Sequence, residues 1–356
     1  MSRMLNGLPE SAARLTPLKL KINRRFSIAP MLDCSDRHSR YFLRLFSKHI
    51  LLYTEMVTSA AIIHGDRDYL LGFNDQEHPL AVQLGGANPE QLFQAASICR
   101  DYGYDEINLN CGCPSDRVQS GSFGACLMAD PGLVVECVDA LKSGGRLPVT
   151  VKHRTGIDKM DDYDEFWRFG ACLIEAGVDA LIVHARNAWL QGLSPKQNRE
   201  IPPLKYDWVY RLKQDFPETE IIINGGIKSL AAASTHLQRV DGVMLGREPY
   251  QNPYLLHEVD AFIFGETVKQ ERSRLDMLQA VYPYIEAQLQ QGMPLSRMTR
   301  HIIGLFYGQP NARRWRRYLS ENAHKKSAGM EVLYAAESMV RHLDATQSTQ
   351  GGPTHG

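Results

Sequence analysis

Two cysteines separated by a single glycine lie within the segment EINLNCGCPSDRVQSGSFG, residues 106–124. The segment begins as an apolar run that carries Asn108 and Asn110, and it then enters a turn of small residues that holds Cys111 and Cys113. Glycine lacks a Cβ, so the backbone of such a turn approaches a ligand closely. The segment therefore offers thiols and amides to a bound molecule, and a tight strand–helix connection with incidental cysteines is the alternative.

Lys152 is a second residue that could take part in catalysis or binding, because it follows the β-branched run of residues 149–151. Its stem is predicted to be buried and its ammonium to point into a mouth formed by strand ends. One use is a Schiff base in an aldolase-like enzyme. The other is a positive charge beside the pyrimidine edge of a flavin, which stabilises the anion formed on reduction. Gln83 and His184 supply the neutral donors that a flavin needs, and an aldolase has less use for them.

Glycine-bearing turns follow two further apolar runs, in Asn224-Gly225-Gly226 and in Gly246-Arg247. Exposed backbone N–H groups of such turns, together with the helix N-termini expected after them, bind oxyanions. Arg247 adds a guanidinium fork. The pair of turns indicates a phosphate-bearing cofactor or substrate.

These residues lie at the ends of short apolar runs that alternate with longer amphipathic segments. The runs cover residues 26–31, 51–54, 80–84, 106–110, 149–152, 180–184, 220–224 and 242–245. The segments between them predict helices over 37–47, 58–63, 89–102, 131–142, 163–176, 206–216 and 229–237, and a further helix over 253–264. Strands with helical spacers indicate βαβ units, and eight of them predict an α/β TIM (β/α)8 barrel, whose chemistry sits on the loops after the strands.

The pattern changes at about residue 270, where apolar residues recur at helical spacing without another β-like run. The predicted organisation is a flexible basic extension (1–25), the barrel (26–264), a smaller all-helical domain (270–345) and a disordered tail (346–356). Arginines and lysines concentrate between residues 297 and 326, with Trp315 among them. That density favours a surface for a nucleic-acid backbone over an ordinary solvated helix face.

The composition of the chain further narrows the possible compartment, partners and metal content. The 356 residues include 40 basic and 40 acidic ones, so any nucleic-acid surface must be local. Seven cysteines, with no CxxC pair and no cluster with histidine, indicate a reducing, cytoplasmic compartment and no metal site. No apolar run is long enough to span a membrane, and residues 1–25 lack the apolar core of a secretory signal.

Motifs spread over residues 26–330 resemble those of the tRNA-dihydrouridine synthases. They are SIAPMLDCSDRH, LYTEMVTSAAIIHGD, VQLGG, YDEINLNCGCPSDRV, GACLMADP, VKHRTGID, INGGIKSL and DGVMLGREPYQNP. The segments HARNAWLQGLSPKQNREIPPL and RRWRRYLSENAHK are similar to the A subfamily in particular. Two departures are Cys111, where an apolar residue such as valine is common, and Cys34, where tryptophan is common.

The resemblance implies FMN-dependent reduction of tRNA uridines, around position 20 of the D-loop, to 5,6-dihydrouridine, with NADPH as reductant. We expect the protein to be a monomer. Hydride passes from the flavin to carbon 6 of uracil, and a thiol gives a proton to carbon 5. The matched motif assigns that proton to Cys113, and Cys111 is expected to pack in the barrel wall. A free thiol, with a pKa of about 8.5, is mostly protonated near neutrality and can serve as an acid.

The resemblance also implies roles for the residues at the other strand ends. The flavin ring is expected against Pro30, Met31, Leu32, Gln83, Lys152 and His184, and the FMN phosphate against Asn224, Gly225, Gly226, Gly246 and Arg247. Asn110 is expected to read the uracil edge, because an amide both donates and accepts, and Arg154 is a further candidate there. A uridine must leave its stack to reach a barrel mouth, and Lys196, Arg199, Arg313 and Arg316 are expected to bind the surrounding RNA.

Three alternatives remain at this point. A flavin-dependent barrel acting on a small pyrimidine or enone would not require the arginine-rich helical domain. A Schiff-base aldolase would use Lys152. A non-catalytic tRNA-binding chaperone would have no use for Cys113, Lys152 and Gln83 together.

Overall fold

The computed structural model describes residues 22–115, 121, 123–267 and 272–341. Within these ranges eight strands form one parallel sheet in the order β1-β8-β7-β6-β5-β4-β3-β2. The strands are β1 (Phe26–Ile28), β2 (Leu52–Thr58), β3 (Leu80–Gly85), β4 (Glu106–Cys111), β5 (Val149–Arg154), β6 (Ala180–His184), β7 (Glu220–Asn224) and β8 (Gly242–Leu245).

Hydrogen bonds between β1 and the residue before β2 bring the two ends of this sheet together. The Ile28 amide donates to the Leu51 carbonyl at 3.0 Å, and the Leu51 amide donates to the Phe26 carbonyl at 3.1 Å. The predicted TIM barrel is therefore confirmed, with every predicted run forming a strand.

Helices cover the outside of the barrel. They are α1 (Arg37–Arg44), α2 (Ser59–His64), α3 (Arg67–Leu71), α4 (Pro89–Tyr102), α5 (Pro131–Gly145), α6 (Tyr163–Glu175), α7 (Tyr206–Asp215), α8 (Leu230–His236), α9 (Arg247–Gln251) and α10 (Val259–Phe262). The Asn88 side chain accepts from the amide of Gln91 and starts α4 just before its N-terminal proline. The predicted helix over 253–264 is a 3₁₀ segment, Pro253–Glu258, followed by α10.

Alternation along β4 divides its side chains between two environments. Ile107, Leu109 and Cys111 pack in the apolar layer between the sheet and the helices. Glu106 and Asn108 lie on the other face of the strand and are fully buried. The barrel interior thus contains polar side chains from β4, beside a small apolar cluster of Ala29, Leu51, Tyr53, Ala81, Ala180, Ile182, Ile222 and Met244.

The base of the barrel is closed by Arg24. Its Nε donates to Glu106 Oε2 at 2.6 Å and its Nη1 to Glu220 Oε2 at 2.7 Å. Arg24, which falls within the extension predicted over 1–25, therefore packs against the barrel base. Residues 1–21 of that extension and the predicted tail at 346–356 lie outside the described residues.

The C-terminal segments are helical, as predicted: α11 (Arg274–Gln290), α12 (Leu295–Ile302), α13 (Ala312–Asn322) and α14 (Met330–Ser338). Helix α12 docks on the loop after β1, where Asp36 Oδ2 accepts from Arg300 Nη2 at 2.5 Å and Asp36 Oδ1 lies 2.9 Å from His301 Nε2. Burial favours a higher pKa for Asp36, but the bonds from His301 and Arg300 hold it well below its usual range. The helical domain is thereby held beside the barrel mouth.

None of the helices in the described ranges has the length and apolar character needed to cross a bilayer.

Candidate active site

The turn that carries Cys113 begins where β4 ends, at Cys111. Asn110 Oδ1 accepts from the amides of Gly112 and Cys113 at 3.1 and 3.0 Å, and so fixes the turn from inside. The Cys113 carbonyl accepts from the amide of Ala125 at 3.0 Å. The partly exposed Cys113 thiol is thus held on a turn with bonds on both sides.

Cys111 has a different environment, although only one residue separates the two cysteines. Its side chain is fully buried in the apolar layer, and burial raises the pKa of its thiol well above the ordinary value. The structure agrees with the expectation that Cys111 packs in the barrel wall. The end of β4 at this residue redirects the chain, which accounts for the difference.

Lys152 reaches toward the mouth from β5. Its Nζ donates to Asn224 Oδ1 at 3.2 Å, and Asn224 Nδ2 donates in turn to the Met244 carbonyl at 2.7 Å. Enclosure of the ammonium, and then the charge of Arg154, lower the pKa of Lys152 to about 7. A nearby negative or electron-rich group would stabilise the charged form of Lys152.

His184 lies among the same cations. Burial, followed by the charges of Arg154 and Lys152, lowers the pKa of His184 well below its ordinary value. The imidazole is therefore neutral near pH 7 and can donate from one nitrogen and accept at the other. Gly225 permits the ring to lie there, since a Cβ at Gly225 would come within 2.6 Å of His184 Cδ2 and its φ is +113°.

Of the two glycine turns, the one after β8 leaves space for a ligand, whereas Gly226 in the turn after β7 faces Leu204 and Tyr206. A Cβ placed on Gly246 would meet nothing closer than Met31 Sδ at 3.7 Å, so a group can approach the backbone there. Helices α8 and α9, which follow these turns, have seven and five residues. The expected contribution of helix N-termini is therefore small, and the arginines must supply the charge.

Arg186, which the reasoning from sequence did not select, is one of these arginines. Its Nε is buried and has no hydrogen-bond partner among the described residues, while another nitrogen donates to the Pro202 carbonyl. Arg247 is exposed and pairs with Glu200 at 2.6 Å. The unpartnered donor, the open glycine backbone and the cations around Lys152 together fit a phosphate-bearing group such as FMN. The position of Arg186 two residues after the end of β6, like that of Arg154 at the end of β5, was the signal in the sequence that could have identified it.

The other residues expected at the flavin lie around the same mouth. Pro30 and Met31 are half-buried after β1, and Leu32 is 70 % exposed. Gln83 is buried on β3, where it donates to Asn108 and accepts from Asn110. Much of the hydrogen-bonding capacity of Gln83 is therefore used within the protein.

Arg154 joins the cysteine turn to the long loop after β6. Its Nε donates to the Gly112 carbonyl at 2.9 Å, and its Nη1 donates to the carbonyls of Asn187 and Asn198 at 3.0 and 2.9 Å. Three of its five N–H groups are thus bound to backbone, and the residue is only 3 % exposed. Whatever it contributes to substrate recognition, Arg154 links these two segments.

The residues expected at RNA are exposed in two places. Lys196 and Arg199 lie on the loop that Arg154 anchors. Arg313 and Arg316 lie on α13, whose Trp315 is buried in the helical domain. Arg199 is near enough to Cys113 for its charge to interact with the thiol, whereas Arg313 and Arg316 lie on the surface of the helical domain.

Comparison with known proteins agrees with this geometry. The model of the family described as dihydrouridine synthase (Dus) matches residues 27–341. The chain is 60 % identical over 320 residues to a tRNA-dihydrouridine(20/20a) synthase of Shewanella oneidensis, covering 90 % of this chain and 95 % of that protein. It is 57 % identical over 317 residues to the protein of the same name from Escherichia coli, covering 89 % and 95 %.

Among solved structures, a 2-naphthoyl-CoA reductase complex has a similar fold, with a TM-score of 0.51 and 10 % sequence identity, over 67 % of this chain and 51 % of that one. The identity is low, so this likeness concerns the barrel alone. The family match and the two relatives span nearly the whole described structure and confirm the resemblance that the motifs carry. The chain therefore belongs to the dihydrouridine synthase family.

Proposed function

We propose that this chain reduces uridines around position 20 of the tRNA D-loop to 5,6-dihydrouridine, with FMN as cofactor and NADPH as reductant, as a cytoplasmic monomer. The relatives bearing the name tRNA-dihydrouridine(20/20a) synthase support the substrate. The observation that carries the chemistry is the partly exposed Cys113 on a fixed turn at the barrel mouth, directly after β4, the strand that pairs with that of Lys152. A thiol there can protonate a bound pyrimidine, and Cys111 cannot because it is buried.

Bound FMN supplies the hydride for carbon 6 of the uracil ring. Cys113 Sγ holds the proton that goes to carbon 5, and it takes a proton back from solvent after turnover. Asn110 and Arg154 keep the turn in place and contribute to contacts at the uracil edge. In this proposal the neutral His184 contacts both cofactor and substrate.

The cofactor would be held by the residues around the glycine turns. Asn224, Gly225, Gly226, Gly246 and Arg247 bind the phosphate region in this proposal, and we add Arg186 because its Nε has no partner among the described residues. The ring lies against Pro30, Met31, Leu32, Gln83 and Lys152. A flipped-out uridine would enter between the charges of Lys196 and Arg199 on one side and those of Arg313 and Arg316 on the other.

The test begins with the visible spectrum of the purified protein. We expect a yellow flavin spectrum that NADPH bleaches under anaerobic conditions and that tRNA lacking dihydrouridine restores. Reoxidation by a small enone or free pyrimidine, with none by tRNA, would instead support a flavin barrel acting on small molecules. A colourless protein that binds no FMN would contradict the proposal.

The lowered pKa of Lys152 predicts how FMN binding depends on pH. In the free protein Lys152 loses its proton as the pH rises through about 7, whereas hydrogen-bond acceptors on the pyrimidine edge of a bound flavin favour the charged form. The affinity of the apoprotein for FMN should therefore fall about tenfold between pH 7 and pH 8.5. Fluorescence titration of FMN measures this.

The variant Lys152→Met should bind FMN more weakly at pH 7 and lose that slope. Lys213→Met is the matched control, because Lys213 pairs with Asp241 outside the mouth. If the wild type and Lys152→Met show the same pH dependence, Lys152 does not hold the cofactor.

A further inference from the structure

A continuous chain of buried hydrogen bonds crosses the barrel interior from its base toward its mouth. Thr150 Oγ1 donates to Glu106 Oε1 at 2.7 Å, and Asn108 Nδ2 donates to Thr150 Oγ1 at 2.8 Å. Gln83 Nε2 donates to Asn108 Oδ1 at 2.7 Å, and Asn110 Nδ2 donates to Gln83 Oε1 at 2.8 Å. We call Glu106, Thr150, Asn108, Gln83 and Asn110 the interior ladder. The first four are at most 1 % exposed and Asn110 is 8 % exposed.

The ladder ends at the cysteine turn, because Asn110 Oδ1 accepts from the amides of Gly112 and Cys113. The groups at the two ends of the ladder require the same donor-to-acceptor direction along it. Backbone amides can only donate, so the Asn110 oxygen must face them and its nitrogen must face Gln83. At the other end, the Glu106 carboxylate, paired with Arg24, accepts and cannot donate. Every amide between them is therefore oriented in one direction.

This direction has a consequence for the turn. If the amide of Asn110 rotated by 180°, its nitrogen would face the amides of Gly112 and Cys113, and the turn would lose both bonds. Each amide in the ladder is held against that rotation by its neighbour nearer the base. The cysteine turn is thus oriented from the far end of the barrel.

We infer that Glu106 and Thr150, at the closed end of the barrel, are positioning residues that hold the Cys113 turn through the interior ladder. The inference rests on the proposed role of Cys113 as the proton donor. Neither residue touches the mouth, and neither would be selected as functional by its location. The interior also contains an apolar cluster on the strands, so apolar side chains can fill a barrel interior and the polar path to this turn is not required for packing alone.

The test breaks the ladder at Thr150 while keeping its shape. Thr150→Val removes the hydroxyl with little change in volume, and Thr150→Ser keeps the hydroxyl and loses only a methyl group. Two measurements are made on the flavin-loaded full-length variants. One is amide hydrogen exchange of the peptide that contains Gly112 and Cys113, and the other is the rate at which tRNA reoxidises the NADPH-reduced protein.

In Thr150→Val we expect amide exchange in the turn to be about tenfold faster and tRNA-driven reoxidation about tenfold slower. The rate of reduction by NADPH should stay within about twofold of wild type, since reduction does not involve Cys113. Thr150→Ser should restore both affected quantities. This split separates positioning of the turn from a general loss of stability, which would lower every rate together.

Equal exchange at the turn in Thr150→Val and Thr150→Ser would overturn the inference. Should Thr150→Val fail to fold, Thr150→Cys takes its place, because its thiol is a weak donor of similar size. The exchange measurement requires no turnover. If tRNA does not reoxidise the wild-type protein, the proposed function is contradicted. The exchange measurement still shows whether Thr150 holds the turn, so the two failures are distinguishable.

Discussion

Cys113→Ala slows tRNA-driven reoxidation of the NADPH-reduced protein by about 10² to 10⁴-fold, the range over which a positioned acid contributes to a reaction. The variant loses the proton for carbon 5 and nothing that holds the cofactor. FMN content, reduction by NADPH and tRNA affinity are expected to stay near wild type. Stopped-flow absorbance of the flavin measures the two half-reactions separately.

Cys111→Ala is the matched control, since the two thiols are separated by one residue and differ in burial. Because Cys111 packs in the wall, its removal should cost stability of about 1–2 kcal/mol and leave reoxidation by tRNA within about twofold of wild type. If Cys111→Ala lost turnover and Cys113→Ala kept it, the assignment of the acid to Cys113 would be wrong.

The barrel could be predicted from sequence because each strand is marked locally. The run at 180–184 and the run at 220–224 form β6 and β7 with the predicted bounds, and α4 spans the predicted residues 89–102. Short β-branched runs and helix-capping residues before prolines act over a few positions, so their effect does not depend on the rest of the fold. The short helices α3 and α9, of five residues each, carry no such periodic signal and were missed.

The location of the site could be predicted too, because parallel strands in a barrel end at one face. The hydrogen-bond partners of each side chain could not be predicted. The expectation that Asn110 reads a uracil edge stays a prediction, and nothing local revealed that its oxygen binds the turn that follows it and its nitrogen binds Gln83. Arg154 was expected in the same role, and it binds the carbonyls of Gly112 and Asn198. Those contacts depend on strand register and on a loop of distant sequence, which local patterns do not encode.

The interior ladder could not be predicted from the sequence for the same reason, because it depends on contacts between strands. In the segment EINLN the alternation reveals which residues share a face of β4, and it therefore places Glu106, Asn108 and Asn110 together. The links between them, Thr150 and Gln83, come from β5 and β3. A polar residue on a strand indicates function only when its neighbours across the sheet are known.

Removing the charges of Arg313 and Arg316 together should weaken tRNA binding by about tenfold to a hundredfold near 0.1 M salt. Both side chains are exposed on α13, and the buried Trp315 and Leu319 anchor the helix from its other face. The double variant Arg313→Ala/Arg316→Ala should therefore keep its stability within about 0.5 kcal/mol of wild type. Reduction of the protein by NADPH, which involves no RNA, should not change.

The slope of log affinity against log salt concentration distinguishes direct phosphate contacts from a general change in charge. Each contact that is lost makes the slope shallower by about one, so the double variant should differ from wild type by about two. Arg168→Ala is the control, because Arg168 is an exposed arginine on α6, outside the helical domain. The proposed RNA surface would be wrong if Arg168→Ala weakened binding as much as the double variant, or if the double variant kept the wild-type slope. A shallower slope confined to the α13 variant means that the helical domain contacts the phosphate backbone of the tRNA.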